Sequence, residues 1–177
     1  MNRSLFRILF CAIIILSANP CFAQAESLNL VAESKYFSLY GDSSLDLNSL
    51  LEKLDFDYSL HPDMALGGYG AGEERSTLSK TLDALYLEVS DILDIHIYSF
   101  HAEIRLFADQ DSVSAQFREF FKMDFNERSF YLPEKNAIYV SFGDLTPGML
   151  AHEIAHAIIC KYFVVPPPAR VQEVLCG

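Results

Sequence analysis

"MLAHEIAHAI" occupies residues 149–158. His152 and His156 stand four apart, and Glu153 follows the first of them directly. Four residues turn a helix by about 400°, so the two imidazoles lie about 40° apart on one face. Glu153 is about 100° round from His152, beside a point the two rings share rather than on it. The flanking residues Met149, Leu150, Ile154, Ile158 and Ile159 are apolar. They predict a helix buried in the core of a globular domain. Two readings follow: a core helix carrying two hydrogen-bonded histidines, or a metal site with its own general base.

The metal reading uses every polar residue of the stretch. Two imidazoles four apart suit zinc, which lowers the pKa of a bound water to about 7 and polarises a carbonyl. A carboxylate beside that ion can move protons without occupying a ligand position. Catalytic zinc takes three protein ligands and leaves one position open. Ile159 and Tyr162 stand where one variant of the motif places a glycine and a third histidine, so that variant is excluded. Downstream of His156 the chain offers no histidine and one acid, Glu173.

"VVPPPAR" (164–170) explains how Glu173 can return to the histidines. Three consecutive prolines end the first helix, because each lacks an N–H and restricts the residue before it. Proline also suits the first turn of a new helix. "ARVQEVLCG" is therefore expected to fold back as a second short helix, with Glu173 facing His152 and His156. The alternative is a solvated surface glutamate. In that antiparallel pairing Cys160 and Cys176 diverge by roughly 10 Å, beyond bridging reach, and both are expected as free thiols. Cys160 as a fourth ligand is the other option, and it would close the site.

Upstream of the motif, Thr146 and Pro147 form an N-cap and first-turn pair that opens its helix. "RSFYLPEKNAIYVSF" (128–142) reads as a hairpin around a Pro-led turn. Residues 137–142 are either an ordinary sheet strand or a sheet edge to which an extended peptide can add. "SVSAQFREFFKM" (112–123) is a short helix burying Val113, Phe117, Phe120 and Phe121, and "HAEIRLFAD" (101–109) a strand. "TLSKTLDALYLEVSDIL" (77–93) is a long amphipathic helix with Leu78, Leu82, Leu85, Val89, Ile92 and Leu93 on its apolar side. "HPDMALGGYGAGEERS" (61–76) lacks the features of a phosphate-binding loop and reads as a connector. "SSLDLNSLLEKL" (43–54) puts Leu47, Leu50, Leu51 and Leu54 on one face, and "KYFSLYG" (35–41) is the first strand. The fold class is α+β, helices packed on a small mixed sheet.

Residues 1–23 stand apart. "MNRSLFR" is basic, "ILFCAIIIL" is an apolar run of nine, and "SANPCFAQA" offers small residues for cleavage after Ala23 or Ala25. This is the pattern of a secretory signal peptide, with an uncleaved anchor as the alternative. Residues 24–177 then form a single domain, without stable membrane insertion after cleavage. Cleavage leaves 11 basic and 24 acidic residues, a net of −13, which argues against nucleic acid and anionic lipid as partners. Secretion or a periplasmic location is the expectation.

These features together resemble the gluzincin superfamily of zinc metallopeptidases, and most of all its small peptidase-MA-like domains. The shared order is a strand like "KYFSLYG", a long helix, strands like "AEIRLFA" and "NAIYVSF", "HEIAH", a proline-rich turn and a helix bearing Glu. The resemblance covers most of residues 35–177. It implies a zincin-like fold in which His152, His156 and Glu173 bind one zinc ion and Glu153 is the catalytic base and acid. The substrate is then a peptide or protein. Two departures stand out: relatives continue the second helix as Glu-Gly-Leu-Ala, where this chain reads "EVLCG". Many also steady the oxyanion with a downstream Tyr or His, a role left here to Tyr139, Tyr162 or a backbone N–H. His61, His96 and His101 read as ordinary core or surface residues. A zinc-stabilised binding or scaffold protein without turnover, and a zinc hydrolase of some other amide, are the competing functions.

Overall fold

A computed structural model describes residues 28–55, 73–124 and 126–176. The signal peptide read at 1–23, residues 61–72 of the connector read at 61–76, and His61 lie outside the described residues. Five strands and five helices follow in the order β1 (Asn29–Glu33), β2 (Phe37–Gly41), α1 (Leu47–Lys53), α2 (Glu74–Leu93), β3 (Ala102–Phe107), α3 (Gln110–Phe121), β4 (Ser129–Leu132), β5 (Ala137–Ser141), α4 (Pro147–Tyr162) and α5 (Ala169–Cys176). The class is mixed α+β, as the residue pattern predicts. No helix among the described residues is long and apolar enough to cross a membrane.

The sheet has the order β1-β2-β3-β5-β4. β2, β3 and β5 run parallel, while β1 and β4 are antiparallel flanks. Period-two alternation sorts the side chains to two faces. Leu39, Ile104, Leu106, Ile138 and Val140 meet Leu78, Leu82 and Leu85 of α2 and Leu150, Ile154 and Ile158 of α4 on one face. Phe107, Phe130, Leu132 and Tyr139 meet Val113, Phe117 and Phe120 of α3 on the other. β5 has partners on both edges and layers on both faces, and all five of its residues are buried. Residues 137–142 are therefore no sheet edge, contrary to one of the two readings of that segment. Among the described residues, the free edge on this side belongs to β4.

Local chemistry fixes the element ends. Thr146 accepts a hydrogen bond from Met149 N at 3.2 Å, with Pro147 in the first turn of α4. Asp109 caps α3 by accepting from Ser112 N at 2.9 Å. The β4–β5 hairpin turns through Pro133–Asn136, closed by Lys135 N to Leu132 O at 3.2 Å, with Asn136 at φ 49°, a left-handed conformation asparagine tolerates.

Several expectations shift. β1 is an additional strand. Its pairing with β2 slips between Leu30 and Ala32, so Val31 and Ala32 are both buried in succession and the alternation that would advertise a strand is lost. α2 begins at Glu74 rather than Thr77, and α1 at Leu47 after an Asp42–Ser44 turn. Ile92 (71% exposed) and Phe121 (42%) leave the core, because each lies at a helix end beyond the sheet they were expected to cover.

Candidate metal centre

α4 crosses the sheet with Leu150, Ile154, Ile158 and Ile159 turned inward, which leaves His152 and His156 on its flank. The two Nε2 atoms are 3.1 Å apart. α5 closes the site. Pro168 O accepts from Val171 N at 2.8 Å and from Gln172 N at 3.2 Å, so the last proline of the run starts the new helix. One turn later Glu173 faces the rings: Oε2 lies 3.4 Å from His152 Nε2, and Oε1 lies 3.4 Å from His156 Nε2.

These separations can be tested against an ion. Zinc bonds to imidazole nitrogen and carboxylate oxygen are about 2.0–2.2 Å, so adjacent ligands on a tetrahedron are about 3.3–3.5 Å apart. The two Nε2 atoms, 3.1 Å apart, lie just below that edge length, and each is 3.4 Å from a different oxygen of the Glu173 carboxylate, so the carboxylate faces the rings with both oxygens rather than with one. His152, His156 and Glu173 are the group of potential ligands that converges among the described residues. His96 and His101 do not join it. His96 Nδ1 meets Ser90 Oγ at 2.9 Å, and His101 Nε2 meets Ser38 Oγ at 2.9 Å, both far along the chain from α4 and α5.

The tautomer of His156 follows from hydrogen bonding. Gln172 Nε2 lies 2.7 Å from the carbonyl of Pro167, which can only accept, so this amide end donates. Its Oε1 therefore faces His156 Nδ1, at 3.1 Å. Nδ1 must carry the proton, and the Nε2 lone pair is directed at His152 Nε2 and Glu173. Gln172 Oε1 also accepts from Cys160 Sγ at 3.5 Å.

Glu153 is 5% exposed and lines the same cleft as the two rings. Ser129 Oγ donates to its Oε1 at 2.7 Å. Burial pushes the Glu153 carboxyl above the usual carboxylate range, opposed by the Ser129 hydrogen bond and by any positive charge on His156 and His152. A cleft of about 720 Å³ opens over the group, bounded on one side by Ser129, Tyr131 and Pro133 of β4 and its turn. The Tyr131 hydroxyl donates to Asn136 Oδ1 at 3.0 Å, and burial pushes its phenol up to about 12.

Neither tyrosine named as an oxyanion candidate borders this cleft. Tyr139 is 1% exposed, stacked on Phe130 beneath α3. Tyr162 is 56% exposed beside Phe163, at the far end of α4. Tyr131 borders it instead. Cys160 and Cys176 are free thiols, and Gln172 packing on His156 and Cys160 while Glu173 reaches His152 and His156 fits the antiparallel pairing of the two helices. Sequence reading missed Ser129, Tyr131 and Gln172. The alternation Ser129-Phe130-Tyr131-Leu132, with apolar residues on the α3 side, carried the signal for the first two. No family model matches the chain, and neither a curated protein nor a solved structure matches it.

Proposed function

We propose that the chain is a zinc-dependent peptidase of the gluzincin type with a zincin-like fold, acting outside the cytoplasm. The observation that carries this reading is the convergence of His152 Nε2 and His156 Nε2, 3.1 Å apart, on the Glu173 carboxylate, a different oxygen of which lies 3.4 Å from each ring nitrogen, with the buried Glu153 lining the same cleft. Two imidazole nitrogens and a carboxylate this close suit a cation between them. Zinc bound there supplies Lewis acidity to a substrate carbonyl and lowers the pKa of water.

The residues divide the remaining work. His152, His156 and Glu173 hold the ion. Glu153 takes a proton from the attacking water and delivers it to the leaving amine. A carboxyl whose pKa is raised by burial is better suited to both transfers near neutral pH than an ordinary glutamate. β4 has a free edge beside the cleft, so an extended peptide can lie along it by strand addition, in place of the 137–142 segment.

One observation favours the scaffold reading instead. α5 has no buried residue, so an ion shared by α4 and α5 also serves to dock that helix. Glu153→Gln separates the two. Metal content, measured on purified protein, should stay at one zinc per chain, while cleavage of an unbiased peptide pool is abolished. A wild type that binds zinc and cleaves nothing favours the scaffold, and a wild type that binds no zinc sinks both.

A further inference from the structure

Ser129 is the first residue of β4, the strand with the free edge beside the cleft. Its side chain points to the α4 side, opposite to Phe130 and Leu132, which join Tyr139 under α3. From there its hydroxyl donates to Glu153 Oε1 at 2.7 Å, across 24 residues of sequence. The distance is that of a well-formed O–H···O bond.

We propose that Ser129 is a positioning residue for Glu153: its hydroxyl holds Oε1 and so turns Oε2 to the proton-transfer work. The inference rests on the peptidase reading above. The terminal torsion of a glutamate is broad, so a carboxylate without an anchor samples a wide range of planes. A bond to one oxygen fixes the plane and distinguishes the two oxygens. Oε1 is engaged, and Oε2 is the atom left to exchange a proton.

The anchor is itself rigid. Ser129 pairs with Val140 in the β4–β5 ladder, and Ser141 N donates to Arg128 O at 2.9 Å just before it. Arg128 in turn meets Asp144 at 3.5 Å, and Asp144 accepts from Ser141 Oγ at 2.8 Å. The hydroxyl is thus carried on backbone that two independent contacts hold in register, as a supporting group must be to orient a reacting one. The same strand offers its edge to substrate, so the base and the peptide are aligned by one element.

The test compares wild type, Ser129→Ala and Ser129→Thr. Misorienting a reacting group costs up to about a hundredfold in rate. Ser129→Ala should lower kcat by about 10- to 100-fold while KM and zinc content stay unchanged, and Ser129→Thr, which keeps the hydroxyl, should restore most of it. Active wild type with unchanged kcat in Ser129→Ala overturns the positioning role alone. Wild type that cleaves nothing overturns the peptidase reading and this role with it. Melting temperatures of the metal-free proteins read the bond itself, without activity. Ser129→Ala should lower the midpoint beside Glu153 and leave it unchanged in a Glu153→Ala background. Equal shifts in both backgrounds would show that the hydroxyl serves the strand, not the carboxylate, and overturn the proposal.

Discussion

Gln172 Oε1 stands 3.1 Å from His156 Nδ1, and the same side chain donates to Pro167 O at 2.7 Å. The amide therefore reads the proline run and the ligand ring together. Replacing it with alanine frees the His156 ring to rotate and to exchange tautomers. Loss of such a partner lowers metal affinity by about 10- to 100-fold. Gln172→Ala should show that loss in competition with a chromophoric zinc chelator, and Gln172→Glu, which keeps an acceptor on Nδ1, should recover part of it. Unchanged affinity in Gln172→Ala would mean that the ring is oriented from elsewhere.

Glu173 links metal binding to the docking of α5. That helix is eight residues long and has no buried residue, and an isolated helix of that length is marginal in water. Its attachment is largely polar, Gln172 to His156 and Glu173 to both histidines, with the partly buried Cys176 as its apolar contact with the core. Chelation should therefore speed proteolysis in the exposed 163–168 segment, and added zinc should suppress it. Glu173→Ala should cleave at the fast rate with or without zinc. Equal protection of wild type and variant at saturating zinc would show that another group supplies the third bond.

How much of this was legible follows physical lines. α4 was readable because everything that makes it is local: Thr146 and Pro147 at its start, an apolar stripe, and a stop imposed by prolines. The antiparallel return of α5 was readable for the same reason. The site partners were not, because Ser129 and Gln172 act across tertiary contacts that leave ordinary local sequence. Sheet order escaped too. Nothing in "NAIYVSF" says which strands flank it, although a strand whose residues are almost all apolar is typical of an interior position, and that sign was present. β1 escaped because its bulge breaks the alternation by which strands are recognised.

Ile154 separates the two histidines and is completely buried between the sheet and α2. Truncation to alanine removes three carbons from a packed core and leaves part of the space empty. Such changes cost about 2–5 kcal/mol. Ile154→Ala should lose stability in that range by urea denaturation. It should also bind zinc less tightly, because the residue fixes the rotation of α4 that sets His152 and His156 on one flank. Ile154→Val, which removes one carbon, should cost about 0.5–1.5 kcal/mol and keep the metal. A large metal loss in the valine variant would mean that the centre depends on more than the position of the helix.

Alkaline pH should destabilise the metal-free protein through thiols and phenols that fold in their neutral form: burial raises Cys160, Cys176, Tyr86, Tyr131 and Tyr139, Cys176 and Tyr131 by the widest margins. Burial, with the Glu173 charge second, pushes the Cys176 thiol up to about 11 from an ordinary 9.0, and burial pushes the Tyr131 phenol up to about 12 from 10.0. Both folded values are raised, so between the ordinary and the raised value the unfolded chain has released a proton that the folded chain still holds. Stability from these groups is full below about pH 9 and falls as pH rises through the raised values. Urea midpoints should be flat from pH 7 to about 9 and then decline, and Cys176→Ala should flatten the first part of that decline. The same shift slows alkylation: at pH 8 Cys176 should react far more slowly in the folded protein than after unfolding in urea. Two thiols titrating in an unfolded, unreduced chain made to begin at residue 24 would confirm that Cys160 and Cys176 are unpaired, and none would mean that α4 and α5 are bridged.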